Sequence, residues 1–239
     1  MSSPRSITKF TVERIVDHTP NIRELYLLLK DPGTFSFKAG QFVMLHVPQS
    51  EGKPVLRAYS IASEEQNEKG LRLIFKYVPD GKASTYVWSL RGGEELQFTG
   101  PFGKVLFQEP PTRQIVFLNT GSGVSQHLCY LLSKKNKYPH LTYRMLFGVR
   151  SEQDIYLRDE LEKLTHELHD FHFEYVLSRP SPEWRGKRGY VQDFISDFDY
   201  LTIPTTFYLC GNGAMIKDVK SLLESQGFDK SRIWTEAFD

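Results

Sequence analysis

One short segment combines side chains that could hold a phosphorylated, aromatic cofactor. Arg57-Ala58-Tyr59-Ser60 sets a fixed positive charge, an aromatic face and a hydroxyl along one stretch. Because side chains alternate in a strand, Arg57 and Tyr59 are predicted to share a face. A guanidinium pairs with phosphate oxygens, and an aromatic ring packs on a flat heterocycle. The spacing therefore indicates a cofactor with both a pyrophosphate and a planar ring.

Two glycine turns offer further phosphate sites. The run 81–85, Gly-Lys-Ala-Ser-Thr, precedes a helix-like stretch, and Gly121-Ser122-Gly123 follows a strand-like run and opens a helix. Backbone N–H groups and the helix dipole at such a start favour phosphate. The second turn lacks a third glycine, and Arg150 stands where an acid would grip the ribose in a dinucleotide fingerprint. An ordinary strand-to-helix turn would need the same glycines, so both interpretations stay open; two phosphate sites would indicate two nucleotides.

The elements that must position these residues change character near Pro110-Pro111. Before it, β-branched and aromatic runs alternate with turns such as Asp31-Pro32-Gly33 and predict strands at 7–16, 22–29, 41–47, 56–61, 71–78 and 94–99. After it, predicted strands at 114–119, 142–149, 171–177, 206–210 and 233–237 alternate with predicted helices at 124–137, 155–169, 191–198 and 214–226. We therefore predict an antiparallel Greek-key β-barrel over residues 1–108 and an α/β parallel-sheet domain over 109–239, joined by the linker at 109–112.

Composition excludes several classes of protein. The 239 residues carry 30 basic and 29 acidic side chains, a balance that argues against a nucleic-acid-binding surface. No apolar run is long enough for a membrane span, and the first residues lack the apolar segment of a signal peptide, so a cytoplasmic protein is expected. Cys129 and Cys210 are too few for an iron-sulfur cluster. The histidines His166, His169 and His172 lack further ligands, and no metal is expected; electron transfer would need an organic cofactor.

Six motifs together resemble the ferredoxin-NADP reductase superfamily. They are Arg57-Ala58-Tyr59-Ser60, the 81–84 turn, Gly-Pro-Phe-Gly at 100–103, the 121–123 turn, Cys-Gly-Asn-Gly-Ala-Met at 210–215 and Glu-Ala-Phe at 236–238. The resemblance covers nearly the whole chain. It implies an antiparallel FAD-binding barrel followed by a pyridine-nucleotide domain.

The resemblance also implies roles for residues of the first half. Arg57 would neutralise the FAD pyrophosphate, Tyr59 would pack on the isoalloxazine, and Ser60 would hydrogen-bond near flavin N5. The remaining expected cofactor-binding residues of this half are Ala58, Phe75, Tyr77, Gly81, Lys82, Ala83 and Ser84.

In the second half, the resemblance places Ser122 near the nicotinamide, and Cys210 and Glu236 beside the space for hydride transfer. Phe238 would cover the other face of the flavin. The expected cofactor-binding residues there also include Gly121, Gly123, Arg150, Gly211 and Met215, and the expected catalytic residues of the chain are Ser60, Cys210 and Glu236. Two features depart from the family pattern: Ser125-Gln126 stand where alanine-proline is usual, and Asp239 follows Phe238.

The nicotinamide cofactor is expected to be NADPH. Ser178 and Arg179, followed by Arg185, Lys187 and Arg188, would supply a hydroxyl and guanidinium groups to the adenosine 2'-phosphate, which NADH lacks. The implied function is hydride transfer between NADPH and FAD, with single electrons passed to ferredoxin, flavodoxin or another carrier protein. The alternatives are an NADH-dependent reductase component of an oxygenase and a non-catalytic flavin- or nucleotide-binding subunit. The residues do not distinguish FAD from FMN.

Overall fold

The computed structural model describes residues 7–30 and 33–238, so two residues of the predicted turn at 31–33 and Asp239 lie outside it. Contacts divide the chain into two compact units. The first contains the chain up to Leu106 together with Leu128–Ser133, and the second contains Phe107–His127 and the chain from Lys134 onward. Along the chain the first change of unit falls after Leu106, and the sequence-based boundary was placed after residue 108.

The first unit contains a six-stranded antiparallel sheet that closes on itself. Its strands, in the order β4-β3-β6-β1-β2-β5, are β1 Thr8–Thr19, β2 Ile22–Leu29, β3 Phe42–Val47, β4 Val55–Ser60, β5 Gly70–Lys76 and β6 Glu95–Phe102. Just past β4, Ile61 forms a bridge to Leu73, and the Ala62 amide donates to the Arg72 carbonyl at 2.8 Å. These contacts join the two edge strands. The predicted antiparallel barrel is therefore confirmed.

Alternating apolar side chains fill the interior of this unit. In β3, Val43, Leu45 and Val47 are buried while their neighbours are partly exposed. Such period-two burial gives each strand one inward face. A single helix, α1 (Lys82–Ser89), connects β5 to β6 and buries Val87.

The second unit is an α/β layer structure around a six-stranded parallel sheet. In the order β10-β9-β8-β7-β11-β12, its strands are β7 Gln114–Thr120, β8 Thr142–Val149, β9 Asp170–Leu177, β10 Lys187–Arg188, β11 Thr205–Gly211 and β12 Ile233–Ala237. Its helices are α3 Arg158–Glu167 and α4 Gly213–Ser225, together with the two ends of α2 Val124–Lys134, whose residues Leu128–Ser133 are grouped with the first unit. Every residue of β11 is buried, as expected for a parallel strand covered on both faces. The predicted α/β domain is confirmed.

Two local predictions in this unit were wrong. The segment predicted as a helix at 191–198 is a 3-10 helix, Val191–Asp197, because its backbone hydrogen bonds join residues three apart, as from the Phe198 amide to the Ile195 carbonyl at 3.1 Å. The helix predicted at 155–169 begins only at Arg158, since Leu157 has a left-handed φ of 61°. It ends at Glu167, so His169 lies beyond it and does not share a helix face with His166. The two-residue strand β10 was not predicted.

Within the described residues, no helix is long and apolar enough to cross a membrane.

Candidate functional site

Strand β4 presents the first predicted cofactor-binding residues. Arg57 pairs with Leu45 of β3, and Tyr59 pairs with Val43. The side chains of Arg57 and Tyr59 therefore lie on the same face of the strand. Arg57 and Ala58 are exposed, and the Arg57 Nη1 group donates to the Leu56 carbonyl at 2.9 Å. Tyr59 is half-buried, and burial raises the pKa of its phenol to about 12 although the Arg57 charge opposes that shift. The strand thus offers a solvent-facing cation and a neutral aromatic ring.

Aromatic packing fixes the Tyr59 ring. Its centroid lies 4.3 Å from that of Phe75, with the rings tilted by 50°. Phe75 is only 1% exposed, so it supports Tyr59 from inside the barrel. Tyr77, also predicted to bind the cofactor, packs edge-on against Trp88 at 5.2 Å. These contacts give Tyr59 a defined orientation, as a platform for a planar ring requires.

The Ser60 hydroxyl is the clearest sign of a ligand site in this unit. Ser60 is 4% exposed, and its Oγ is buried without a hydrogen-bond partner in the described part of the chain. An unsatisfied buried hydroxyl costs about 1–3 kcal/mol, so such groups are rare unless a ligand satisfies them. Ser60 is the last residue of β4, so its hydroxyl suits a ligand group that extends past the end of the strand. The residues therefore fit a flavin.

The turn before α1 is built for a close backbone approach. A Cβ at Gly81 would lie 2.9 Å from the Val78 carbonyl oxygen. Ser84 Oγ accepts a hydrogen bond from the Val78 amide at 2.9 Å, which leaves the hydroxyl proton able to donate. Ala83 is buried, while exposed Lys82 donates to Gln49 at 2.8 Å. The first N–H groups of α1 lie outside its own hydrogen-bond ladder and can face an anion.

In the second unit, the structure brings two predicted catalytic residues together. Cys210 of β11 pairs in register with Glu236 of β12. Cys210 is fully buried, and burial, with the Glu236 charge as a second cause, raises the pKa of its thiol. Burial likewise raises the pKa of the Glu236 carboxyl to about 7, opposed by a hydrogen bond from Gln126. A neutral thiol therefore adjoins a carboxyl group that titrates near neutrality.

The sequence analysis did not assign a role to Gln126. Its Nε2 donates to Glu236 Oε2, and it stands at one of the two positions noted as departing from the family pattern. That departure was the only signal in the sequence that could have identified it.

The glycine turn of the second unit packs tightly against the end of β11. A Cβ at Gly123 would lie 2.3 Å from the Cys210 carbonyl oxygen, and one at Gly211 would lie 2.3 Å from Thr120 Oγ1. Gly211 also has a φ of +130°, which favours glycine. Thr120 Oγ1 accepts from the Asn212 amide at 2.9 Å. Backbone packing thus accounts for both glycines, and their phosphate role stays a prediction.

The other predicted residues of this region have different environments. Gly121 and Ser122 are half-buried, and the Gly121 carbonyl accepts from Tyr156 at 3.0 Å. Met215 is 5% exposed and belongs to the hydrophobic core of the unit. Phe238 is half-buried, and its amide donates to the Gly211 carbonyl at 2.9 Å.

The predicted 2'-phosphate residues lie at the carboxyl ends of neighbouring parallel strands. The Ser178 amide donates to the Val149 carbonyl at 3.1 Å, and the Arg179 amide donates to the Arg150 carbonyl at 2.7 Å, so pairing continues past β8 and β9. Arg150 and Arg179 are exposed. Ligands of open α/β sheets bind at this edge. Ser178, Arg179 and Arg150 thus form one cluster.

Arg188 and Lys187 are more constrained than that cluster. Arg188 Nη2 donates to the Pro182 and Trp184 carbonyls at 2.9 and 2.6 Å. The Lys187 ammonium pairs with Asp197 at 2.6 Å and with Glu174 at 3.4 Å. These contacts order the loop after β9, so Arg150 and Arg179 are the freer cations at this edge.

Glu236 is expected to make the stability of the protein pH-dependent. Its pKa rises from 4.5 to about 7 on folding, so the folded state binds a proton that the unfolded chain has released between those values. The resulting stabilisation is complete below pH 4.5 and is lost as the pH rises through about 7. The Glu236→Gln protein should therefore gain stability relative to wild type across that window. Urea unfolding at several pH values measures the difference.

The matched control for this experiment is Glu183→Gln, which changes an exposed carboxylate of the same unit. Its stability relative to wild type should not change over the window. A constant difference between Glu236→Gln and wild type would contradict the assigned burial of the carboxyl group.

Two known protein families match the chain, one in each half. Residues 9–107 match the oxidoreductase FAD-binding domain family, and residues 117–221 match the oxidoreductase NAD-binding domain family. The fold and site thus define a flavin-dependent NAD(P)H oxidoreductase. A ferredoxin-NADP reductase from Sorangium cellulosum is 33% identical, with 92% of this chain and 93% of the relative covered. The chain belongs to the ferredoxin-NADP reductase superfamily, as its motifs predicted.

Other relatives widen the range of functions. The phenol hydroxylase P5 protein of Acinetobacter pittii is 30% identical over 95% of this chain, which spans 64% of that relative's length. Among solved structures, a cytochrome P450 reductase from Amycolatopsis superposes with a TM-score of 0.88 at 26% identity, over 99% of this chain and 71% of that one. A ferredoxin NADP+ reductase from Neisseria gonorrhoeae, solved with FAD and NADP, superposes with a TM-score of 0.82 at 25% identity, over 97% and 98%.

Proposed function

We propose that the protein transfers hydride between NADPH and FAD and passes single electrons to a separate carrier protein such as ferredoxin or flavodoxin. The observation that carries the proposal is the buried Ser60 hydroxyl, which has no hydrogen-bond partner among the described residues and directly follows Tyr59, whose ring is fixed by Phe75. The 33% identity to a ferredoxin-NADP reductase supports the choice of electron carrier.

Each residue has a definite part in this proposal. Arg57 and the turn at 81–84 bind the pyrophosphate, Tyr59 orients the ring system, and Ser60 donates its hydrogen bond to it. When bound, FAD supplies the two-electron acceptor that can release electrons singly. In the second unit, the Cys210 thiol stays neutral and adds no charge beside Glu236. Glu236 holds or releases a proton near neutral pH.

The preference for NADPH rests on the arginines at the carboxyl edge of the parallel sheet. Arg179→Ala should lower the ratio of kcat/KM for NADPH to that for NADH about tenfold, because an arginine-phosphate contact is lost only with NADPH. Steady-state kinetics with both cofactors measures this ratio. Arg158→Ala is the control, since this exposed arginine pairs with Glu162 on α3. A ratio unchanged by Arg179→Ala would refute the assignment.

A second candidate function is that of an NADH-dependent reductase component of an oxygenase. The P5 protein and a glycine betaine monooxygenase reductase subunit from Chromohalobacter salexigens, 28% identical, favour it. This chain spans 64% and 62% of the lengths of those two relatives. The ratio of kcat/KM for NADPH to that for NADH in the wild-type protein distinguishes the two candidates, because a reductase component of this kind should favour NADH.

Anaerobic addition of NADPH to the FAD-loaded protein tests the proposed function. The yellow colour should bleach within a turnover time, and adding oxidised ferredoxin or flavodoxin should restore it. A colour that persists would indicate the non-catalytic subunit instead. Bleaching that neither carrier reverses would contradict the proposed partners.

The cytoplasmic location remains a prediction from the sequence.

A further inference from the structure

We propose that Gln126 is a positioning residue that holds the Glu236 carboxylate by a hydrogen bond and so keeps it able to exchange a proton during the reaction. The inference rests on the function proposed above, because it takes Glu236 as a group that acts in that reaction. Gln126 is the third residue of α2, and its Nε2 donates to Glu236 Oε2 across 110 positions of the sequence. The contact therefore links the start of a helix to the last strand of the sheet.

Burial makes this contact a fixed one. Gln126 is 1% exposed, so its side chain cannot turn into solvent without breaking the packing around it. An amide also suits a carboxyl group that changes its protonation state. Its N–H group donates to the carboxylate, and its carbonyl oxygen accepts from the protonated acid. Gln126 can hold Glu236 in both states, which an apolar side chain of similar size cannot.

The groups around Glu236 make the amide the main stabiliser of its charge. Strand β11 contributes the Cys210 thiol, which burial keeps neutral by raising its pKa. Helix α2 contributes Gln126, and its next residue, His127, faces Asn119 of β7 at 3.1 Å. Burial lowers the pKa of the His127 imidazole to about 3, so this ring is neutral as well. Of these groups, the Gln126 amide is the one that favours the ionised carboxylate against the effect of burial.

Titration of the Glu236 carboxyl group tests the inference without requiring activity. In protein labelled with 13C-glutamate, the Glu236 carboxyl signal is assigned by its loss in Glu236→Gln. Gln126→Leu should raise the titration midpoint by about one pH unit, since a charge-assisted hydrogen bond favours the ionised form. The matched control is Gln192→Leu, which removes another amide-carboxylate contact, to Asp218 at 3.4 Å, and should leave the midpoint unchanged.

The same variants are then compared in flavin reduction. The pH profile of the reduction rate should move upward with the carboxyl midpoint in Gln126→Leu, with KM for NADPH nearly constant. A midpoint identical to wild type in Gln126→Leu would overturn the inference. Absence of flavin reduction in the wild-type protein would instead contradict the proposed function, and the carboxyl titration would still decide whether Gln126 holds Glu236.

A second measurement serves if Gln126→Leu does not fold. In the unsubstituted protein, the 15N-amide signals of the Gln126 side chain should shift with the Glu236 titration and lose that pH dependence in Glu236→Gln. Amide signals that do not respond to the titration would also overturn the inference.

Discussion

Replacing Arg57 by alanine should weaken FAD binding about 30-fold. Arg57 is the exposed cation on β4, three positions before the end of the strand and on the same face as the Tyr59 ring. An arginine that pairs with phosphate oxygens contributes about 2 kcal/mol, which corresponds to this change in Kd. Because Arg57 is exposed and its guanidinium donates to the carbonyl of the neighbouring Leu56, the substitution should leave the fold intact. Calorimetric titration of the flavin-free protein with FAD measures the effect.

Arg91→Ala is the matched control for this prediction. Arg91 is also an exposed arginine of the first unit, and its guanidinium donates to the Trp88 and Leu90 carbonyls at 3.2 and 3.0 Å. FAD affinity in this variant should equal that of wild type. Equal affinities of Arg57→Ala and wild type would remove Arg57 from the pyrophosphate site, and with it the main support for the phosphate half of the cofactor site.

The strands could be predicted because their signal is local. The runs at 142–149 and 233–237 coincide with β8 and β12, since β-branched and aromatic composition between turn residues depends only on neighbouring positions. Closure of the barrel through Ile61 and Leu73 depends on strands that are distant in the sequence. Composition and spacing indicated the architecture but not this bridge.

Failures in the second unit have tertiary causes. The segment Val191–Asp197 buries Val191 and Ile195, four positions apart, as an α-helix would, so its apolar spacing could not reveal the 3-10 geometry. Gly123 and Gly211 each approach backbone or Thr120 at distances that exclude a side chain, a packing reason that the motif did not reveal, and their cofactor contacts stay a prediction. Which neighbour a glycine approaches cannot be deduced from its position in a motif.

The site residues that are close in sequence were easier to group than those on distant elements. Arg57, Tyr59 and Ser60 lie within four positions, so strand alternation alone was enough to group two of them on one face. The pairing of Cys210 with Glu236 followed only from the family resemblance, because β11 and β12 are separated by a helix. Neither strand alternation nor the family resemblance predicted the contact from Gln126 to Glu236. It requires the register of a helix start against the last strand of the sheet.

Replacing Ser60 by alanine should slow flavin reduction by NADPH about 30- to 100-fold without destabilising the flavin-free protein. The rate should fall because a preorganised hydrogen bond to the reacting ring is lost; the effect should be smaller than the roughly 10²–10³-fold cost of removing an oxyanion-hole donor, because less charge develops on the ring. The free energy of unfolding should stay constant or rise by up to about 1 kcal/mol. The buried Ser60 Oγ has no partner among the described residues, so no hydrogen bond offsets the cost of removing it from water. Stopped-flow absorbance and urea unfolding measure the two quantities.

Ser63→Ala should show the opposite pattern and is the matched control. Ser63 is buried like Ser60, but its Oγ accepts a hydrogen bond from the Arg72 amide at 3.2 Å. Its removal deletes this buried hydrogen bond and should cost about 1 kcal/mol of stability, while the rate of flavin reduction should match wild type. A hydroxyl that is part of the barrel lowers stability when removed, whereas one that serves a ligand lowers the rate. If Ser60→Ala lost stability and kept its rate, Ser60 would be structural and would not hold a flavin at the end of β4.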